Sequence, residues 1–262
     1  MIFTKKAPEI SPVATEPRFG SINDYLVDRA IKLESTGVND ERYHNPSLAV
    51  FARRLAELQL KGGDPFLKYI RTAIVQKDCR CNFSLNHLTH DEQEACIDIA
   101  NLFCSIGGLI NATECHGVIH GKFSLTSPKL INFINGDFLE VAIYSMTKHI
   151  LSECALDYEL LPNAVCTVKK EKKEYDMLLR VGKEFYVFEI KSGRTDKLID
   201  KADIFDYYRK RGIELGMYPD HQLFITGDHT EDEVMLISYF QNIAIANYNT
   251  FQEKLLLMIN KQ

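Results

Sequence analysis

No stretch of the 262-residue sequence is long and apolar enough to cross a membrane, and the opening MIFTKKAPEI holds no long apolar run. No membrane partner is expected, and the cytoplasm is the expected compartment. A disulfide framework is also lacking. The seven cysteines, at 79, 81, 96, 104, 115, 154 and 166, are odd in number, and several sit in apolar helical or strand patterns, as reduced core thiols do. There is no internal repeat and no low-complexity run. Positive charge is scarce overall: a net charge of −5 leaves no whole-chain footprint for nucleic acid. What is present is ordinary for a soluble globular protein, 45% apolar and 26% charged, at a length for one large domain or two small ones.

The charge is unevenly placed. Residues 165–211 hold thirteen Lys/Arg against nine Asp/Glu, a local surplus of four in an acidic chain. A polyanionic substrate needs such a surplus nearby, although a solvated charged face has the same composition.

The pattern of the chain divides it into three. Residues 1–19 read as a loose arm. Residues 20–130 read as a small helical domain with a hairpin. Ser21 starts a helix that runs to Gly37, and Asn45-Pro46 starts a second that ends at Gly62-Gly63. Asp64-Pro65 starts a third, and Thr89 with Glu92 forms a capping box for a fourth. Residues 109–125 alternate as a hairpin turning near His116-Gly117, so a winged-helix-like unit is one reading. Arg53, Arg54, Lys68 and Arg71 offer nucleic-acid contact there, and a packing or dimerisation module is the plainer reading. Residues 131–262 have the order α-β-β-β-α-β-α-β-α, and Thr250 with Glu253 predicts a last capping box. The expected fold is α/β, a mixed sheet flanked by helices, preceded by the small, mainly helical domain.

The most informative stretch is Glu174 to Gly193, EYDMLLRVGKEFYVFEIKSG. Two apolar strands meet at Gly182-Lys183, which suits a type II′ turn. That turn makes paired numbers sum to 365, setting Asp176 opposite Glu189 and Glu174 opposite Lys191. Opposed residues have Cβ atoms roughly 5 Å apart, and like charges so placed repel unless a cation lies between them. Side chains alternate, so Lys191 shares the face of Glu189. Asp176 and Glu189 with the Ile190 carbonyl form a hard-oxygen set for Mg²⁺ or Mn²⁺. Glu140 lies at the buried border of an earlier helix and needs a partner, either a metal or Lys191. Cys79-x-Cys81 with Cys115, His116 and His120 has ligand types but lacks zinc-site spacing.

Helix Glu140, strand Asp176 and strand Glu189-Ile190-Lys191 together resemble the PD-(D/E)XK nuclease superfamily. The resemblance covers roughly residues 131–262. Within it, Phe133-Ile134-Asn135-Gly136-Asp137-Phe138-Leu139-Glu140, Lys173-Glu174-Tyr175-Asp176 and Glu189-Ile190-Lys191-Ser192-Gly193 look like the motifs of the nuclease domain of CARF-fused type III CRISPR effectors, with Phe138 in place of a Trp. Residues 1–130 depart from that family, showing neither a βαβ pattern nor the Gly-rich loop of its sensor domain, so its activation by cyclic oligoadenylates is not carried over.

The resemblance implies a restriction-endonuclease-like fold and a Mg/Mn-dependent endonuclease with Glu140, Asp176, Glu189 and Lys191 as its catalytic set. The expected substrate is DNA, with RNA second, in bacterial defence or mobile-element biology. Ser192, Gly193, Lys201, Arg209 and Arg211 are candidate phosphate contacts. A homodimer, and a regulatory ligand or protein at the N-terminal domain, are the further expected partners. The rival reading is a non-catalytic nuclease fold serving as a nucleic-acid-binding or assembly module.

Overall fold

A computed structural model describes residues 20–124, 128–192 and 202–260. The loose-arm expectation for residues 1–19, and the candidates Gly193 and Lys201, lie outside the described residues.

The second half follows the order expected from the sequence. Helix α6 (Phe138–Glu153) leads into β5 (Tyr158–Val168), β6 (Glu171–Val181) and β7 (Glu184–Lys191). Then come α7 (Ala202–Glu214), β8 (Gln222–Thr226), α8 (Glu231–Gln241), β9 (Ile245–Asn247) and α9 (Phe251–Ile259). Six strands form a mixed sheet ordered β1-β5-β6-β7-β8-β9, antiparallel from β1 to β7 and parallel from β7 to β9. The central strands are near-continuous apolar runs because helices cover both faces. One face packs on the large core holding Phe138, Met177, Phe188 and Ile225; the other holds Tyr175, Leu178 and Val187. At the hairpin tip Gly182 takes φ 57°, the positive value that the turn demands of its first residue.

The first strand corrects the expected helix from Ser21 to Gly37. Helix α1 spans only Ile22–Asp28, and Ala30 turns left-handed (φ 56°). The chain then enters β1 (Lys32–Ser35), which pairs antiparallel with β5. The apolar spacing of Ile22, Tyr25, Leu26, Ala30 and Leu33 mimics a helix, but an open sheet edge takes the second half of the segment.

Helices α2 (Pro46–Leu58) and α3 (Asp64–Gln76) start where Asn45-Pro46 and Asp64-Pro65 place them, joined by a π-type turn with Gly62 at φ 104°. The capping box of Thr89 and Glu92 opens α4 (His90–Ser105). The hairpin β3 (Leu109–Cys115) and β4 (Val118–Phe123) forms as expected. An unforeseen strand, β2 (Arg80–Ser84), completes a three-stranded sheet ordered β2-β4-β3. A short α5 (Pro128–Asn132) precedes α6. Among the described residues no helix is long and apolar enough to cross a membrane.

Candidate active site

The β6–β7 ladder has the predicted register, from Val181–Glu184 to Met177–Phe188, and stops one pair short of Asp176–Glu189. On the other side, β5 pairs Pro162 with Met177 and Ala164 with Tyr175, while Asn163 between them is left-handed at φ 46°. Residues two apart on a strand share a face, yet Met177 lies in one core and Tyr175 in the other. The strand therefore rolls over at Asp176. Its carboxylate leaves the ladder position and accepts the backbone N–H of Ile190 at 2.7 Å.

The charged cluster closes around this point. The Lys191 ammonium lies 3.0 Å from Asp176 Oδ2 and 2.6 Å from Glu189 Oε1. Arg211, from α7, reaches Glu189 Oε2 at 3.6 Å and stacks over the Tyr175 ring at 4.7 Å. Tyr208 from the same helix places its ring 5.5 Å from Lys191 Nζ. Burial alone would push Lys191 down, but Asp176 and Glu189 outweigh it and hold the ammonium above its ordinary pKa. Burial, and then the charge of Asp176, raise Glu189. Glu140 is pushed up to about 8, first by burial and then by the charges of Asp176 and Asp137. Its carboxylate accepts from Tyr43 OH at 3.3 Å and makes no ion pair with Lys191. It borders a cleft of about 350 Å³ that is also lined by Arg42, Asp137, Asn163 and Glu174.

The sequence-predicted residues thus separate into groups. Asp176, Glu189 and Lys191 are brought into contact, and Glu140 feels the field of Asp176 from the facing helix. Glu174 does not pair with Lys191. The rollover takes it to an exposed position opposite Val165. Ser192 is buried, with its carbonyl accepting Gln59 Nε2 at 2.8 Å. Arg209 turns away, pairing with Asp206 and donating to the carbonyl of Gln241 at the end of α8.

Much of the local basic surplus is spent in ion pairs: Lys173 with Glu214, Arg180 with Asp157, Arg211 with Glu189. On α2 and α3, Arg54 pairs with Asp98 and Lys68 with Asp64, and Arg71 donates to the Ile134 carbonyl. All seven cysteines are free. Cys81 is buried against the Ile119 carbonyl, and His120 is bonded to Asn82. Sequence reasoning missed Tyr43 and Gln59. Neither carries a motif, and each arrives from the first 60 residues.

The donor set is suited to a hard cation. Two carboxylates already converge on one positive charge, the Lys191 ammonium, and their oxygens are the ligand type of Mg²⁺ and Mn²⁺. Among the described residues no group of three or more His, Cys, Asp or Glu is gathered closely enough to hold a metal by side chains alone. A backbone carbonyl, water or substrate oxygen would have to complete the set.

No family model and no curated protein matches the chain. Solved structures do share its fold. Can2 from Sulfobacillus thermosulfidooxidans, solved in complex with cyclic tetra-adenylate, is 16% identical with a TM-score of 0.61 over 91% of this chain. Protein VC1899 from Vibrio cholerae is 15% identical with a TM-score of 0.57 over 90% of it. The chain spans 60% of the length of each. At these identities the likeness carries the fold alone.

Proposed function

We propose that this chain is a metal-dependent phosphodiesterase that cuts nucleic acid, DNA before RNA. The observation that carries the reading is the half-buried Lys191 ammonium between the buried carboxylates of Asp176 and Glu189, at a rollover of the sheet, with Glu140 facing it from α6. Asp176 and Glu189, with the Ile190 carbonyl, would hold Mg²⁺ or Mn²⁺, and Glu140 would join directly or through water. When bound, the ion polarises the scissile phosphate and lowers the pKa of a bound water. Lys191, a point charge on a flexible stem beside those carboxylates, would orient the attacking water and offset charge developing on the phosphoryl oxygens. Arg211 supports Glu189 from behind instead of steering the substrate.

The defence setting rests on the motif resemblance and on the shared fold with Can2, which was solved with cyclic tetra-adenylate bound. Activation by such a nucleotide is not part of the proposal.

A binding or assembly module of the same fold has no use for this charge cluster. Mn²⁺-dependent nicking of supercoiled plasmid separates the two readings. The enzyme reading expects nicking by the wild type and none by a folded Lys191→Ala variant. If the two proteins behave alike on every DNA and RNA tried, the module reading takes its place.

A further inference from the structure

Glu140 is the one acid of the set that comes from a helix, and among the described residues no hydrogen bond ties it to the sheet. Its hydrogen-bond partner is Tyr43, whose hydroxyl donates to Oε2 at 3.3 Å. Tyr43 ends the second of two short 3₁₀ turns, Gly37–Asn39 and Glu41–Tyr43, that connect β1 to α2. The residue is 7% exposed, and its ring packs on Tyr144, one helical turn beyond Glu140, at 4.8 Å between centroids. The segment has little room to shift. A Cβ on Gly37 would lie 3.1 Å from the Tyr43 ring and 3.2 Å from the Pro162 carbonyl, beside the left-handed Asn163. The neighbouring residue, Arg42, forms ion pairs with Asp40 and with Asp137 at the start of α6. Two consecutive side chains thus treat the two acids of the α6 lead-in differently: Arg42 gives Asp137 a counter-charge, and Tyr43 gives Glu140 a hydrogen bond without one.

We propose that Tyr43 is a positioning residue for the metal centre: by holding one carboxylate oxygen of Glu140 it sets the rotamer that offers the other to a cation shared with Asp176. This inference rests on the metal-site reading above. The connection between β1 and α2, far from the motifs in sequence, then becomes part of the site. Partners of ligating carboxylates are worth about 10- to 100-fold in metal affinity.

Calorimetric titration with Mn²⁺ tests it on the full chain, with thermal melts in EDTA alongside. Tyr43→Phe keeps the ring contact with Tyr144 and loses only the hydroxyl. We expect Mn²⁺ affinity about 10-fold weaker, with the metal-free melting temperature lowered by no more than about 4 °C. In a Glu140→Ala background the same substitution should have no further effect on Mn²⁺ affinity. Equal affinity for wild type and Tyr43→Phe overturns the inference and leaves the metal site standing. So does a 10-fold loss that persists in the Glu140→Ala background, since Tyr43 would then act through something else. A wild type that binds no Mn²⁺ overturns the metal site itself, and this inference with it.

Discussion

Asp176 accepts the backbone N–H of Ile190 at 2.7 Å, one residue beyond the last β6–β7 pair. A side chain here replaces the ladder. Ile190 would otherwise carry a buried donor without a partner, and the same carboxylate faces the Lys191 ammonium. Asp176 has two jobs, and substitution can separate them.

Asp176→Asn keeps an oxygen for Ile190 and removes the charge. Lys191 and Glu189 remain as a neutral pair, so metal-free stability should hold or rise while Mn²⁺ binding collapses. Asp176→Ala removes the acceptor as well, and should lose about 1–3 kcal/mol for the unpaired N–H. Chemical denaturation in EDTA reads the difference, and equal stabilities for the two variants would show that the Ile190 bond contributes nothing.

The metal-free protein should lose stability as pH rises. Glu140 binds a proton up to about pH 8 in the folded state, against an ordinary carboxyl value of 4.5. Between those values the folded state holds more protons than the unfolded chain, and each upward step in pH favours unfolding. The contribution is whole below about pH 4.5 and gone above about pH 8. Glu189 shifts the same way. Melting in EDTA should therefore fall from pH 5 to 8.5, and Glu140→Gln should flatten the slope. Parallel slopes for the two proteins would contradict the assignment.

Gly227 should tolerate no side chain. Its N–H donates to the Lys191 carbonyl at 2.9 Å, and a Cβ would lie 3.0 Å from Gln59 Oε1 and from the Ser192 Cα and carbonyl oxygen. Gly227→Ala must push on the end of the strand that carries Lys191. We expect about 1–3 kcal/mol of destabilisation and a lower kcat on plasmid. An alanine variant with wild-type stability and rate would show that this strand end is free to give.

The sheet was legible because its central strands are unbroken apolar runs and Gly182-Lys183 sets their register, which is correct for every pair that forms. The cluster of Asp176, Glu189 and Lys191 was legible for the same reason. What ends the ladder was not. The rollover depends on a left-handed Asn163 in the neighbouring strand and on a side chain capturing an N–H, neither of which has a local signature. Strand β1 escaped because its partner lies 130 or more residues away, while Leu33 continues the helical spacing of Ile22, Tyr25 and Leu26. Capping shows the same limit. Thr230 and Glu233 form a capping box at α8 that was not expected, whereas Thr250 and Glu253, with the same spacing, do not. The Thr250 hydroxyl is already engaged with Asn247, so the helix start goes uncapped by that side chain. Tyr43 sits in a short 3₁₀ turn without periodicity, and only the packed structure brings it to Glu140.

The central claim is that Asp176 and Glu189 share a divalent cation where they now share the Lys191 ammonium. Anomalous diffraction from crystals soaked in Mn²⁺ tests it most directly. The account predicts a single strong peak within coordination distance of both carboxylates, with Lys191 Nζ displaced from between them, and no such peak for Asp176→Asn. Density showing Lys191 still bridging Asp176 and Glu189, with Mn²⁺ absent or bound elsewhere, would contradict it.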